Sequence, residues 1–463
     1  MNKKGLVVAG LAGGSGKSVV AVGITAAFAR RDRKIVPFKK GPDYIDAGWL
    51  QLAARRRCYN LDPFLMTQEA IHQSFEQHSS DAELLVVEGN RGLYDGVDAL
   101  GGYSTAELAV TLDLPVLLVV NCSKTTRTVA AMVLGCQQFD KRIDIRGVVL
   151  NQIATERQRL LITESVENYT TIPVLGSIPR LKRDIFPMRH LGMIPHQEYG
   201  DSDGALDFLA DLVAENIDLD RVETIMGPVP ESAVHVTGDQ VKLTDTALPK
   251  VKIGILQDAA FQFYYSENLE ALEKAGAQLI PMDAMRDTFV PELDGLYIGG
   301  GFPETSAREL AANRTFRQSV KEAADNGLPI YAECGGLIYL SQSILLDGEE
   351  FPLVGVFPVR FEMSAKPQAH GYTIFQVEKK NAFYDQGQEV KGHEFRYSRI
   401  LDWQGSVDQL ALKMVRGNGF MDGRDGLTYK NVLALYTHVH AVGTPEWADN
   451  FVRQCRMAEG LKG

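Results

Sequence analysis

Residues 10–18 read Gly10-Leu11-Ala12-Gly13-Gly14-Ser15-Gly16-Lys17-Ser18, directly after the apolar run Leu6-Val7-Val8-Ala9. A buried strand that runs into such a loop, ahead of a helix-like stretch from about Val19 to Arg30, is the layout of a phosphate-binding loop. Gly13, Gly14, Ser15 and Gly16 let backbone N–H groups wrap a polyphosphate without Cβ clashes. Lys17 reaches the outer phosphates, Ser18 offers a hydroxyl to Mg²⁺, and the helix start faces the anion. Leu11 stands where the strict G-x-x-x-x-G-K-[ST] string has its first glycine, and Ala12 replaces the extra lysine of some variant loops. ATP with Mg²⁺ is therefore expected.

The chain has 463 residues, 45% of them hydrophobic, and a formal net charge of −11. This length favours two large domains. No apolar run is long enough for a membrane span, and Met1-Asn2-Lys3-Lys4 lacks a signal-peptide pattern. The acidic balance without basic runs argues against a nucleic-acid surface. Cys58, Cys122, Cys136, Cys334 and Cys455 are scattered and contain no C-x-x-C pair. A reducing cytoplasm is expected, with no disulfide framework, no zinc and no membrane partner, and a homodimer is the candidate assembly.

Apolar strands at Leu84–Glu88, Pro115–Asn121 and Gly147–Asn151 alternate with helix-like Thr105–Leu112 and Thr128–Phe139. Such βα repeats predict a parallel sheet covered on both faces. The pattern fades after about Glu215. A second series opens at Val251–Leu256 and continues through Leu296–Gly301 and Leu328–Glu333. The predicted organisation is α/β throughout: a P-loop domain over 1–217, a linker over 218–250 and a second α/β domain over 251–463.

Acidic and glycine residues gather at the strand ends of the first domain. Lys39-Lys40-Gly41-Pro42-Asp43-Tyr44-Ile45-Asp46 follows the second strand, and Glu88-Gly89 ends the third in the manner of a Walker-B metal position. Asn90–Gly96 forms a glycine-punctuated loop at the same sheet edge, where ligands of open α/β sheets bind. Asn151 and Pro179-Arg180 are candidates for nucleobase and ribose contact. In the second domain Glu333-Cys334-Gly335-Gly336 places a cysteine between a strand and a helix, the geometry of a nucleophile elbow. Gly299-Gly300-Gly301 offers oxyanion donors. His438 is the candidate base, with His370, His393 and His440 in competition.

These motifs, together with Asn60-Leu61-Asp62, Gly92–Gly96, Ser104–Ala109, Gly299–Glu304 and Tyr436-Thr437-His438, make the chain similar over essentially its whole length to the cobyrinate a,c-diamide synthase family of glutamine-dependent tetrapyrrole amidating enzymes. The resemblance implies a dethiobiotin-synthetase-like ATPase domain joined to a class I glutamine amidotransferase domain. It implies that ATP phosphorylates an acetate carboxylate of the macrocycle, with Mg²⁺ held by Ser18, Asp43 and Glu88, and Tyr44, Asp46 and Asp95 orienting substrate. It also implies that the Cys334 thiolate attacks glutamine while His438 moves the proton and Gly300, Gly301 and Gly335 line the oxyanion hole. Ammonia then passes internally to the acyl phosphate. Where related triads place Glu two residues after the histidine, this chain has His440, so a Cys–His pair is expected.

The family usually reads Lys-Val-Gly-Pro-Asp and Glu-Gly-x-Met-Gly-Leu-Tyr-Asp-Gly where this chain has Lys39-Lys40-Gly41 and Glu88-Gly89-Asn90-Arg91-Gly92. Those departures resemble relatives that amidate sirohaem, and Arg91 and Lys39 suit a substrate rich in carboxylates. Cobyrinate remains the first expectation and sirohaem the second. A partitioning-type ATPase is the remote third, opposed by Ala12 and by the cysteine-bearing domain.

Overall fold

The computed structural model describes residues 3–181, 188–189, 192–229 and 250–460. They fall into two compact units that divide at His235/Val236. The first unit runs β1 (Lys4–Gly10), α1 (Lys17–Arg30), β2 (Ile35–Lys40), α2 (Ile45–Ala54), β3 (Tyr59–Leu61), α3 (Gln68–His78), β4 (Leu84–Gly92), α4 (Thr105–Thr111), β5 (Val116–Asn121), α5 (Thr128–Phe139), β6 (Ile145–Ile153), α6 (Glu156–Thr170), β7 (Val174–Pro179), α7 (Ser202–Asn216) and α8 (Leu219–Ile225).

The sheet order is β3-β2-β4-β1-β5-β6-β7, with each adjacent pair parallel. Both faces are covered, which explains why β1, β4 and β5 read as continuous Val/Leu runs with almost no exposure. β1 lies between β4 and β5, so the chain leaves it toward one side of the sheet and returns later on the other. That switch point opens a crevice beyond the strands' carboxyl ends, and residues 10–18 occupy it. Ser104 and Thr155 cap α4 and α6 by accepting from Glu107 N and Gln158 N.

The expected linker begins later than the sequence pattern indicates. Asp218 caps α8 through Arg221 N, and Gly227–Pro228 pairs antiparallel with the start of β1. Leu219, Val222 and Met226 are buried in the first unit's core, so burial and not turn chemistry decides this stretch. Residues 230–249 of the expected linker lie outside the described residues.

The second unit has a ten-stranded sheet. Five parallel strands, Ala277–Met282, Val251–Leu256, Gly295–Ile298, Ile330–Glu333 and Val432–Leu435, form its core. Antiparallel strands then continue through Arg424–Tyr429, Leu410–Arg416, Ala369–Val377 and Glu389–Arg396 to His438–Val439. The last strand begins only three residues after the central strand Val432–Leu435 ends. The antiparallel extension therefore curls back on the centre of the sheet and carries His393 to His438 as a register pair. Trp447, Tyr297, Tyr331 and Phe451 pack edge to face beneath the parallel strands. A separate four-stranded sheet, which sequence periodicity did not separate, joins residues 341–346, 349–352, 357–363 and 398–403.

Candidate active site

The loop between β1 and α1 is braced from within and behind. Ser15 Oγ donates to Ala12 O at 2.8 Å and accepts from Ala12 N at 3.0 Å. Gly14 and Gly16 have φ of 74° and 90°, a region that penalises any Cβ. A Cβ on Gly16 would also lie 2.0 Å from Asn151 Nδ2. Asn151 Nδ2 donates to Ser15 O at 2.9 Å, and its Oδ1 accepts from Gln152 N. The residue expected to touch a nucleobase is thus a brace for the loop backbone. Arg180, its proposed companion, is exposed after β7.

Beneath the loop lies a compact ion cluster. Ser18 Oγ donates to Glu88 Oε1 at 2.6 Å and lies 3.4 Å from Asp46 Oδ2. Lys17 Nζ is 3.2 Å from Glu88 Oε1 and 3.9 Å from Asp46 Oδ2. Lys39 has no exposed surface. Its Nζ sits 2.6 Å from Asp46 and 3.2 Å from Glu88, and donates to Gly89 O at 3.0 Å. Burial alone would depress its pKa, but Asp46, Glu88 and Asp43 together raise it above the usual lysine range. For Asp46, burial works upward and is overcome by Lys39 and Lys17, which hold the carboxylate ionised.

Two expectations change here. Lys39 is sealed under the phosphate loop by its two carboxylates, so it does not face a carboxylate-bearing substrate. Asp46, expected to orient substrate, joins Ser18 and Glu88 instead. Asp43 Oδ1 accepts from Ile45 N and Asp46 N at 2.9 and 3.1 Å, which ties it to the start of α2. Burial, with Asp46 close by, pushes the Asp43 carboxyl up to about 6. Tyr44, half-buried, precedes the same helix. Asp95 is exposed and accepts from Gly92 N at 2.8 Å, so it shapes its own turn.

Glu88 Oε2 is buried with no hydrogen-bond partner, next to the Ser18 hydroxyl. An orphaned carboxylate oxygen beside a hydroxyl fits a hard divalent cation. Among the described residues no cluster of three His, Cys, Asp or Glu side chains forms a cage. That donor set is what an ion completed by nucleotide phosphates needs.

In the second unit Cys334 follows the strand Ile330–Glu333 and opens the short helix Gly335–Tyr339. Its φ and ψ are 46° and −97°, a conformation that strains a side-chain-bearing residue. Cys334 N donates to Leu435 O at 2.8 Å, which fixes this turn against the next strand. His438 is buried, and Cys334 and Glu333 are the groups that act on its charge. Burial opposes its charge, yet Cys334 and Glu333 push the imidazole up to about 10. A proton held there is what a thiolate partner requires.

A carboxylate stands behind the expected Cys–His pair. Glu333 Oε2 lies 3.5 Å from His438 Nδ1. Glu333 Oε1 accepts from Val439 N at 3.1 Å, and Oε2 accepts from Tyr297 OH at 3.2 Å. The carboxylate arrives from the strand that ends at the cysteine and not from the segment after the histidine. His440 turns elsewhere, with Nε2 3.7 Å from Glu267 and its ring against Tyr265. His393 stacks on His438 at 4.9 Å between centroids, and burial holds its pKa well below the usual value. His370 lies against Phe395.

The glycines run tightly past the base. A Cβ on Gly300 would come within 2.4 Å of His438 Cε1, and one on Gly335 within 2.9 Å of Gly301 N. Only bare backbone fits between the two strand ends, and the Gly301 backbone packs directly against Gly335, the residue after the cysteine.

Residues 6–191 match the family described as CobQ/CobB/MinD/ParA nucleotide binding domain, and residues 252–445 match the CobB/CobQ-like glutamine amidotransferase domain. The chain is 39% identical over 444 residues to a protein of Magnetococcus marinus named cobyrinate a,c-diamide synthase, covering 95% of this chain and 94% of that one. Proteins of the same name from Methanothermobacter thermautotrophicus and Dehalococcoides mccartyi are each 38% identical, with coverage of 97% and 98% of this chain and 98% of each relative. Among the described residues no helix is long and apolar enough to cross a membrane. A partitioning ATPase would have no use for the amidotransferase half. By sequence and by domain content, the chain belongs to the cobyrinate a,c-diamide synthase family.

Proposed function

We propose that this protein converts the a and c acetate carboxylates of cobyrinate to carboxamides, at the expense of ATP and with nitrogen from glutamine. One observation carries this reading: a cysteine–histidine–glutamate centre and a phosphate loop set over buried carboxylates occur in one chain, each assembled in its own unit.

The chemistry of the second unit follows from its groups. The Cys334 thiolate adds to the glutamine carboxamide carbon, and the developing oxyanion meets the Gly301 and Gly335 N–H groups. His438 protonates the departing ammonia while Glu333 holds its ring. Water then cleaves the thioester to glutamate and restores the thiol.

In the first unit a substrate carboxylate oxygen attacks the γ-phosphorus of ATP, ADP leaves, and an acyl phosphate forms. Lys17 stands over the transferring charge and Lys39 keeps Asp46 ionised. A magnesium ion held by Ser18, Asp46 and Glu88, with Asp43 behind them, would neutralise phosphate charge. Ammonia adds to the acyl carbon and inorganic phosphate is expelled. The sirohaem reading loses part of its support, because Lys39 is enclosed in the ion cluster.

The test is mass spectrometry of products after cobyrinate and sirohaem are offered separately with ATP and glutamine. The expected result is a diamide from cobyrinate. Amidation of sirohaem alone would reassign the macrocycle, and turnover of neither would overturn the reading.

A further inference from the structure

The strand β2 ends in two lysines whose side chains leave opposite faces of the sheet. Lys39 is absorbed by the ion cluster under the phosphate loop, whereas Lys40 points away from it. Lys40 is 5% exposed. No described residue gives its ammonium a hydrogen bond or a carboxylate within ion-pair distance. The charged groups around it are Asp62, Glu107, Lys39 and Arg91. Both carboxylates are engaged by backbone: Asp62 Oδ1 accepts from Phe64 N and Leu65 N at 2.8 and 3.2 Å, and Glu107 accepts from Tyr103 N. Arg91 is exposed at the end of β4, with a φ of 53° that holds it at the sheet edge.

We propose that Lys40 and Arg91 form a carboxylate-binding subsite for the macrocycle, on the face of the sheet turned away from the phosphate loop. A buried ammonium without an ion-pair partner is unfavourable, and burial together with Lys39 and Arg91 outweighs the attraction of Asp62 and Glu107 and lowers its pKa. An incoming carboxylate relieves all three effects at once. Arg91, with its fork of donors at the rim, suits the same anion. The nucleotide phosphates are already served by Lys17 and Ser18 on the other face. A carboxylate held at Lys40 and Arg91 anchors one side chain of the macrocycle while another reaches the phosphate. This inference rests on the proposed amidation of a tetrapyrrole.

Lys40→Met and Arg91→Gln test it, with steady-state KM measured for macrocycle, ATP and glutamine, and macrocycle binding followed by absorbance without ATP. Lys40→Met raises the macrocycle KM by about 10- to 100-fold, the loss of one charge-assisted hydrogen bond. Arg91→Gln raises it several-fold. The KM for ATP and the glutaminase rate stay at wild-type values. If Lys40→Met does not fold, the exposed Arg91→Gln and the charge-retaining Lys40→Arg decide, the latter expected to bind macrocycle more tightly than any uncharged replacement. An unchanged macrocycle KM in Arg91→Gln and Lys40→Met, or a raised KM for ATP, overturns the subsite. A wild-type protein that amidates no tetrapyrrole overturns the functional reading instead.

Discussion

In the nucleotide-binding unit Lys17, Lys39, Asp46 and Glu88 hold one another within ion-pair distance beneath a glycine loop. Around Cys334 the working groups are fixed by other means: a left-handed backbone at the nucleophile, glycines with no room for a Cβ, and a carboxylate–imidazole–thiol chain. The first arrangement is organised by charge balance and accepts an ionic ligand by rearranging partners already present. The second is organised by covalent geometry and positions a reactive atom before any ligand arrives. Damage to the two should therefore separate cleanly. A lost charge spoils phosphate chemistry, and a lost contact in the thiol centre spoils only the release of ammonia.

The sharpest break is Cys334→Ser. A hydroxyl in the same strained turn cannot be ionised by His438 as a thiol can, so glutamine-dependent synthesis falls to background. Synthesis with added ammonium salts persists, because the first unit is untouched. Loss of both activities in a folded variant would show that the division between the units is wrong.

Lys17→Ala is the mirror experiment. It removes the cation over the transferring phosphate while Lys39 still balances Asp46 and Glu88, so the fold survives. Synthesis should fall by three or more orders of magnitude, on the order of what one catalytic cation supplies in phosphoryl transfer. Both nitrogen sources are affected and glutaminase turnover continues. Undiminished synthesis would refute the assignment of residues 10–18.

Much of this division was legible in the chain itself. The Gly-Lys-Ser loop and the Glu-Cys-Gly-Gly elbow are local patterns, in which residue type and spacing already fix the backbone chemistry. The βα alternation marked the parallel strands of both units. What did not show was anything set by partners distant in sequence. Lys39 reads as a cation for substrate carboxylates until Asp46 and Glu88 enclose it. Asn151 reads as a strand-end polar group until Gly16 packs on its amide. Glu333 was in view within the elbow motif, but its role depends on the curl of the antiparallel strands that brings His438 back to it. The helix Leu219–Ile225 was lost among turn formers because its apolar face is only three residues wide.

Among the histidines, His438→Ala should lower glutaminase turnover by two to four orders of magnitude, the range of general acid–base catalysis by a positioned side chain. Ammonia-dependent synthesis should be spared. His440→Ala should cost far less, since that ring faces Glu267 and Tyr265 and not the thiol. A steady-state assay that ranks the two the other way would move the base to His440 and leave the rest of the mechanism intact.

The finest probe of the contrast is Glu333→Gln, which keeps shape and removes charge. The amide oxygen can still accept from Val439 N, so the strand pairing around residue 438 holds. What disappears is the anion 3.5 Å from His438 Nδ1. Glu333 is one of the groups that raise the His438 pKa, so its neutralisation moves that pKa down from about 10, toward the ordinary imidazole value. The imidazolium is then less favoured opposite the thiolate and its ring is held less firmly. Glutaminase kcat should drop by about 10- to 100-fold, less than for loss of the imidazole itself. The pH profile and an NMR titration of the His438 ring carry the diagnosis. A purely structural role for Glu333 would lower the rate without moving the pKa, whereas an orienting carboxylate moves both. A variant with the wild-type titration curve would return the centre to a two-residue pair.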